Sequence, residues 1–326
     1  MEKIPVIDLH EDVSSYFLRS PNPQPFNKDV KSRQVDIPKY RRAGLALFVG
    51  AVFPSNKIYD PTSGLVVNGF KASLPVAWNH IAVYHRMIRR CPRDFYLVES
   101  RSVLEKEFGG NRIGILIGLE GAYPIEDPYD LELYYKLGVR LVGLTWNNEN
   151  KYAASCMSKK DYGLTGSGET LVGLANSLGV IVDLAHASKN TMLDVLSITS
   201  KPVVISHACV RRIRDHPRNV DDEVLDALKR NRGVIGVTFV AEFVGEGRIT
   251  IDDLVRHFTY LKENYSADII ALGTDYMGTS RLPEGLETIE GLPKLFEKLL
   301  ENGFTREDLE KIAWRNAYRV IKENLK

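Results

Sequence analysis

Eight short apolar runs, spaced along the whole chain and separated by longer amphipathic or loop segments, set the tightest limit on how this sequence can fold. They are Ile4–His10, Gly44–Phe53, Ile113–Gly121, Val139–Trp146, Gly179–His186, Pro202–His207, Gly233–Phe239 and Ile269–Asp275. Strand-sized β-branched runs that alternate with helical segments are the pattern of parallel βα units. Eight such units close into a (β/α)8 TIM barrel, the α/β fold expected here. Helices are predicted over Thr170–Leu178, over Asp221–Lys229 with its acidic first turn, and over Arg306–Lys326, which closes the ring. The segment Tyr59–Val98 is long for one connection and predicts an extra helix around Ala72–Arg90. No internal repeat is visible, and the only Pro-rich stretch, Ser20–Phe26, falls in the first loop, so residues 1–326 read as one barrel domain.

Charge narrows the partners. Lys plus Arg number 43 against 42 for Asp plus Glu, without a long run of one sign, which leaves no electrostatic footprint for nucleic acid or an anionic membrane. A small neutral or zwitterionic substrate fits better. The three cysteines, Cys91, Cys156 and Cys209, are odd in number and lack CxxC spacing, which argues against a disulfide framework and against a thiolate zinc site. Met1–His10 runs into a strand pattern within a few residues, leaving no room for a signal peptide, and no apolar run approaches the roughly 20 residues of a membrane span. A cytoplasmic protein is expected.

Barrel strands buried on both faces should be apolar throughout, yet five of the eight end in ionisable side chains. These are His10 and Asp12, Glu120, His186, His207 and Asp275, all at carboxyl ends, where barrel enzymes carry their active sites. His10 and Asp12, two apart on an extended backbone, would point to one side and share an ion. Glu120 ends a run of apolar and small residues where an unpaired carboxylate would cost several kcal/mol, so a metal or a buried Arg must balance it. Its two oxygens can bridge two cations. Three mixed ligands plus an open position make a catalytic rather than a structural metal site. His80, His85 and His257 sit in helical stretches with no ligand at i+4 and read as structural or exposed. Asp8 reads as a residue that orients a ligand, Asp183 stays undecided, and His216 lies on the catalytic side.

His10–Asp12, Gly118–Gly121, Asp183–His186, Ser206–His207, Asp215–Asn219 and Gly273–Asp275, with Gln34–Pro38 and Pro283–Leu286, together resemble the membrane (renal) dipeptidase family of zinc metallopeptidases, in order, from about residue 5 to residue 320. The family sits in the amidohydrolase-like barrel superfamily. The resemblance implies two zinc ions, one held by His10 and Asp12, the other by His186 and His207, with Glu120 as the bridge. It implies a hydroxide shared between the ions, Asp275 as acid and base, and Arg218 as the receptor of a dipeptide's C-terminal carboxylate, including dipeptides with a C-terminal D-residue. It also implies a homodimer.

Three positions depart from the family pattern. Trp146 stands where mammalian-type members have a His that binds substrate and stabilises the oxyanion, so that role falls into doubt or passes to Asn147 or Asn148. Met277 replaces a second acid, and Val240 a Tyr. Two rival readings remain open at this stage: another metal-dependent hydrolase acting on a cyclic amide, lactone, phosphoester or aminopurine, and a barrel that binds metal or peptide without turning it over.

Overall fold

The computed structural model describes residues 4–20, 22–53, 57–59, 66–68 and 73–326. Met1–Lys3, Pro21 and Ala72, which belong to predicted segments, lie outside the described residues, as does part of the Tyr59–Val98 connection. In chain order the strands are β1 (Val6–Glu11), β2 (Leu45–Val52), β3 (Lys57–Tyr59), β4 (Val66–Asn68), β5 (Phe95–Leu97), β6 (Ile113–Leu119), β7 (Val139–Gly143), β8 (Ile181–Asp183), β9 (Val204–Ala208), β10 (Val234–Val237) and β11 (Ile270–Leu272).

Eight of these form a closed parallel ring in the order β1, β2, β6, β7, β8, β9, β10, β11, with β11 returning to β1. Each lies within one of the eight predicted runs or at its edge. Leu47, Val49, Leu116, Leu141, Ile181, Val204, Val234 and Ala271 join Ile7 and Leu9 in one apolar cluster drawn from all eight strands, so the barrel interior is filled by side chains and is not a pore. Ala317, Val320 and Ile321 of the last helix belong to the same cluster and close its floor. That helix runs from Arg306 to Asn324 with a π turn at Lys311–Arg315, and Asn316 Nδ2 ties it to the carbonyls of Ala267 and Ile270 at 2.7 and 2.8 Å. A second, larger cluster lies between the strands and the outer helices.

The differences from expectation have local causes. The helix predicted from Thr170 begins at Gly166, because Thr165 caps it by accepting the Gly168 N–H at 3.1 Å. Gly168 belongs there for space, since a Cβ would run into the Tyr152 carbonyl. The predicted extra helix is present as Ser73–Arg90. Two features were not foreseen: the short antiparallel pair β3–β4, and β5, which pairs with Ile113–Ile115 along the edge of β6 that β7 leaves free. Three-residue strands are too short to show a period. Among the described residues no helix is long and apolar enough to cross a membrane.

His257 is a core residue, as expected. Its Nδ1 accepts the Val210 N–H at 3.1 Å and its Nε2 donates to the Val244 carbonyl at 3.0 Å, which fixes a neutral ring. Burial pulls its pKa from 6.5 down to about 4. The unfolded chain therefore takes up a proton that the folded chain refuses, so this contribution is complete above pH 6.5 and is lost as pH falls toward 4. In urea titrations, the stability gap between wild type and His257→Gln should narrow by about 2 kcal/mol between pH 7 and pH 5. A gap that stays constant would show that this imidazole does not carry the proton linkage.

Candidate active site

At the carboxyl ends of the ring, a cavity of about 790 Å³ opens over the barrel, within the usual range for small-molecule sites. Asp12, Glu120, His186, Arg218 and Asp275 line it, with Trp146, Asn147 and Phe53 on one side and Val240 and Phe243 on another. His10, on β1, and His207, on β9, are buried beside Glu120. All six sequence-predicted ionisable residues thus converge, although they come from five separate strands.

Asp12 reaches the cluster differently from the expectation. β1 ends at Glu11, and Asp12 leaves the extended backbone (φ −89°, ψ 37°) to begin the helix Val13–Arg19. Its carboxylate accepts Ser15 Oγ–H at 2.9 Å and lies 3.3 Å from His10 Nε2. Sharing one side of a strand is therefore not what joins the pair.

Around Glu120 the three imidazoles crowd together. Its Oε1 lies 3.0 Å from His186 Nε2, 3.5 Å from His207 Nε2 and 3.8 Å from His10 Nε2. His186 Nε2 and His207 Nε2 are 3.0 Å apart. The other nitrogen of each ring fixes its tautomer. His186 Nδ1 meets Asn147 Oδ1 at 2.8 Å, and an amide oxygen can only accept, so Nδ1 carries the proton. Ser206 Oγ donates to Asp183 Oδ2 at 2.6 Å and so accepts from His207 Nδ1 at 2.8 Å. Two Nε2 lone pairs then face each other beside a carboxylate oxygen, an arrangement that repels unless a cation lies between them. His10 Nε2 is buried with no hydrogen-bond partner.

The donor set fits divalent metal. His10, Glu120 and His207 offer ligand atoms within 4.8 Å of one another, and so do His10, Asp12 and Asp275. Imidazole nitrogen with carboxylate oxygen suits zinc and its neighbours. Electrostatics agrees. Burial pushes the Glu120 carboxyl well above its ordinary range, with Asp12 and Asp275 adding to the rise against His10. Burial also lifts Asp275 to about 7. Burial alone would depress His10, but Glu120, Asp12 and Asp275 outweigh it and lift the ring to about 10. Burial thus penalises the charged carboxylates and, with Arg218 and His10, holds His186 and His207 well below their ordinary value, leaving both rings neutral as metal ligands must be, and cations would relieve the carboxylates.

Asp8 and Asp183 are orienting residues. Asp8 accepts Thr274 N–H and Oγ1–H at 2.9 and 2.5 Å and the His10 N–H at 3.1 Å, tying the end of β11 to β1. Asp183 acts through Ser206 on His207. His186 and Asp275 both adopt φ of 65°, a left-handed conformation that costs a non-glycine residue roughly 1–2 kcal/mol.

Arg218 is buried, donates Nη2–H to the His207 carbonyl at 3.0 Å and lies over the Phe243 ring at 5.2 Å. Its Nε and Nη1 are buried without partners. His216 stacks on Phe243 at 4.7 Å and accepts the Arg218 N–H at 3.2 Å, so it positions the arginine's segment. Trp146 packs edge-on against Phe53 at 5.0 Å and lies 5.9 Å from His186. Asn147 spends its oxygen on His186 and keeps its NH2 as a donor. Asn148 only accepts Tyr123 O–H at its carbonyl. Val240 lines the cavity, whereas Met277 packs against the outer core. The sequence reading missed His80, which lines the cavity from the helix Ser73–Arg90 and is buried. No spacing signal in that helix relates it to the strand ends.

A closed parallel barrel with histidines and carboxylates gathered at the carboxyl ends of its strands defines a metal-dependent hydrolase of the amidohydrolase-like class. The particular family follows from comparison. The profile of membrane dipeptidases, peptidase family M19, matches residues 1–326, and the chain belongs to that family of metallopeptidases. It is 33% identical to an uncharacterized dipeptidase of Schizosaccharomyces pombe, over 98% of this chain and 80% of that one. It is 30% identical to dipeptidase verJ of Clonostachys rogersoniana, over 98% and 84%. In fold it resembles a metallopeptidase of Rhodobacter sphaeroides crystallised with a phosphinate mimic of L-Ala-D-Ala, at a TM-score of 0.89 and 22% identity, covering 99% of this chain and all of that one.

Gly278 allows the Asp12 and Asp275 carboxylates to approach. A Cβ there would overlap Asp275 Oδ1 and sit 2.5 Å from Asp12 Oδ2. Gly278→Ala should weaken divalent metal binding at least about tenfold in chelator competition. Gly173→Ala, where a Cβ meets nothing within 4 Å, should leave it unchanged. Equal affinity in both variants would disconnect these carboxylates from the metal.

Proposed function

We propose that the protein hydrolyses the peptide bond of dipeptides, including those with a C-terminal D-residue, using two zinc ions held by His10, Asp12, His186 and His207 with Glu120 as the shared ligand. When bound, such ions supply an acidified water and Lewis-acid polarisation of the scissile carbonyl. The observation that carries the substrate class is Arg218, whose two unpartnered buried nitrogens lie in the wall of the same cavity as the metal-capable cluster. A buried guanidinium with unused donors calls for a planar anion, and a free carboxylate accepts two N–H bonds from it in parallel. Fixed beside the cluster, that carboxylate leaves room for one residue after the scissile bond, which selects dipeptides over longer chains. The phosphinate mimic of L-Ala-D-Ala bound by the Rhodobacter sphaeroides relative supports a D-residue at that place.

Asp275 takes the proton from the attacking water and delivers it to the leaving amine. Its reach is set by the strained backbone that turns it toward Asp12, and its amide N–H is held by the His10 carbonyl at 3.1 Å. The Asn147 NH2 is the donor nearest in sequence to Trp146, where the family pattern has a His, and it takes over part of the contact to the carbonyl oxygen.

The zinc-reconstituted protein, assayed on free dipeptides, dipeptide amides, tripeptides, lactones and phosphotriesters, tests the reading. Turnover confined to lactones or phosphotriesters would replace it with the rival hydrolase. Arg218→Met should lose on the order of 2–5 kcal/mol of transition-state stabilisation on free dipeptides and far less on their amides. Equal losses on both would remove Arg218 from the carboxylate site. Asp275→Asn should lower kcat at least about a hundredfold with metal content and melting temperature held. If metal content falls in step with kcat, Asp275 is a ligand rather than the acid and base.

A further inference from the structure

A dipeptide is a zwitterion, and a cavity that seats its carboxylate must also take an ammonium about 7 Å away, the length of two extended residues. Around the barrel ring β2 and β9 are diametrically opposed, four places apart in either direction. Arg218 lies on the connection that follows β9, and the helix Ser73–Arg90 lies on the connection that follows β2. The groups facing the cavity from these two connections therefore address opposite ends of whatever lies between them.

The polar side chain that the second connection buries in the cavity wall is His80, only 4% exposed. Its Nδ1 lies 2.7 Å from Ser14 Oγ, and Ser14 Oγ in turn lies 2.8 Å from the Ala51 carbonyl. A carbonyl oxygen cannot donate, so the serine proton goes to Ala51 and its lone pair receives the proton of His80 Nδ1. The opposite tautomer would leave two bare oxygens 2.8 Å apart. The ring's remaining polar atom, Nε2, consequently carries a lone pair and is an acceptor. Tyr84 braces the same point, donating its O–H to Ala51 at 2.8 Å and accepting the Ser14 N–H at 3.3 Å.

Other acceptors of the cavity are already committed or exposed. Asp12, Glu120 and Asp275 belong to the metal cluster, and the Asn147 oxygen is spent on His186. The Thr279 hydroxyl is engaged with Arg281, and Asn79 is exposed. Burial, the largest influence on His80, lowers its pKa to about 4, so the ring is neutral and its Nε2 lone pair is free to accept.

We infer that His80 Nε2 receives the free α-ammonium of the dipeptide, opposite the carboxylate held by Arg218; this rests on the reading of the chain as a dipeptidase. His80 is then a substrate-binding residue and measures the substrate's length together with Arg218.

The test is calorimetric binding to the zinc-reconstituted full chain of two phosphinate dipeptide mimics, one with and one without the α-amino group. His80→Leu should weaken the amino-bearing mimic about 10- to 100-fold and the des-amino mimic less than about threefold. His80→Gln, which keeps a carbonyl acceptor, should bind the amino-bearing mimic at least about threefold more tightly than His80→Leu. On free dipeptides the loss should appear mainly in KM, with bound metal unchanged. Equal weakening of both mimics in both variants would overturn the ammonium contact while leaving the dipeptidase reading intact. A wild-type protein that binds neither mimic would take both down.

Discussion

Three carboxylates and three imidazoles gathered at the mouth of a barrel, all but the half-buried Asp275 buried, generate the electrostatic demand on which the rest of this structure depends. In a dry site like charges cannot remain ionised side by side, and facing lone pairs repel. The closed ring nevertheless forces these groups together, because the carboxyl ends of eight parallel strands share one small opening. The raised carboxyls of Glu120 and Asp275 express that demand, burial penalising their charge and Asp12 adding to the rise. Divalent ions would meet the same demand, with these groups as their ligands.

Much of the surrounding architecture keeps that arrangement from relaxing. His186 and Asp275 could lower their backbone energy by leaving the left-handed region, but each is pinned. The His186 carbonyl accepts the Cys156 N–H at 2.8 Å. The Asp275 carbonyl accepts the Gly278 and Thr279 N–H groups at 3.1 and 3.3 Å. Asp8 and Asp183, although acidic and close by, have their oxygens filled by Thr274, His10, Ala185 and Ser206. Each of these carboxylates already accepts three hydrogen bonds of the roughly four it can take, which separates the two from Asp12, Glu120 and Asp275.

The barrel was legible because strands buried on both faces must be apolar, and an ionisable residue at the end of such a run stands out. For that reason Glu120, His186, His207 and Asp275 could be read directly from the chain. The position of Asp12 was legible but its geometry was not, since nothing in the sequence marks that β1 stops at Glu11 and a helix begins. β5 escaped notice because three residues carry no periodicity, and its pairing depends on an edge that only the folded β6 offers. His80 was hidden for a different reason. It lies in an amphipathic helix far in sequence from every strand end, where a histidine is ordinarily structural, and only the packing of that helix over β2 through Ser14 and Tyr84 brings it to the cavity.

The departures at the mouth fit together once both walls are considered. An indole at position 146 cannot supply the basic nitrogen of the family's histidine, and Trp146 instead packs on Phe53 and closes that side with apolar surface. Asn147 is drawn into orienting His186, so the metal cluster gains a fixed tautomer while the wall loses a free acceptor. On the reading proposed above, polar recognition falls to Arg218 after β9 and His80 after β2. A ligand held at both must present an anion and a cation across the width of one barrel mouth with a carbonyl over the metal cluster between them. On that reading a dipeptide offers both charges with a carbonyl between them, whereas a lactone or phosphotriester carries neither charge.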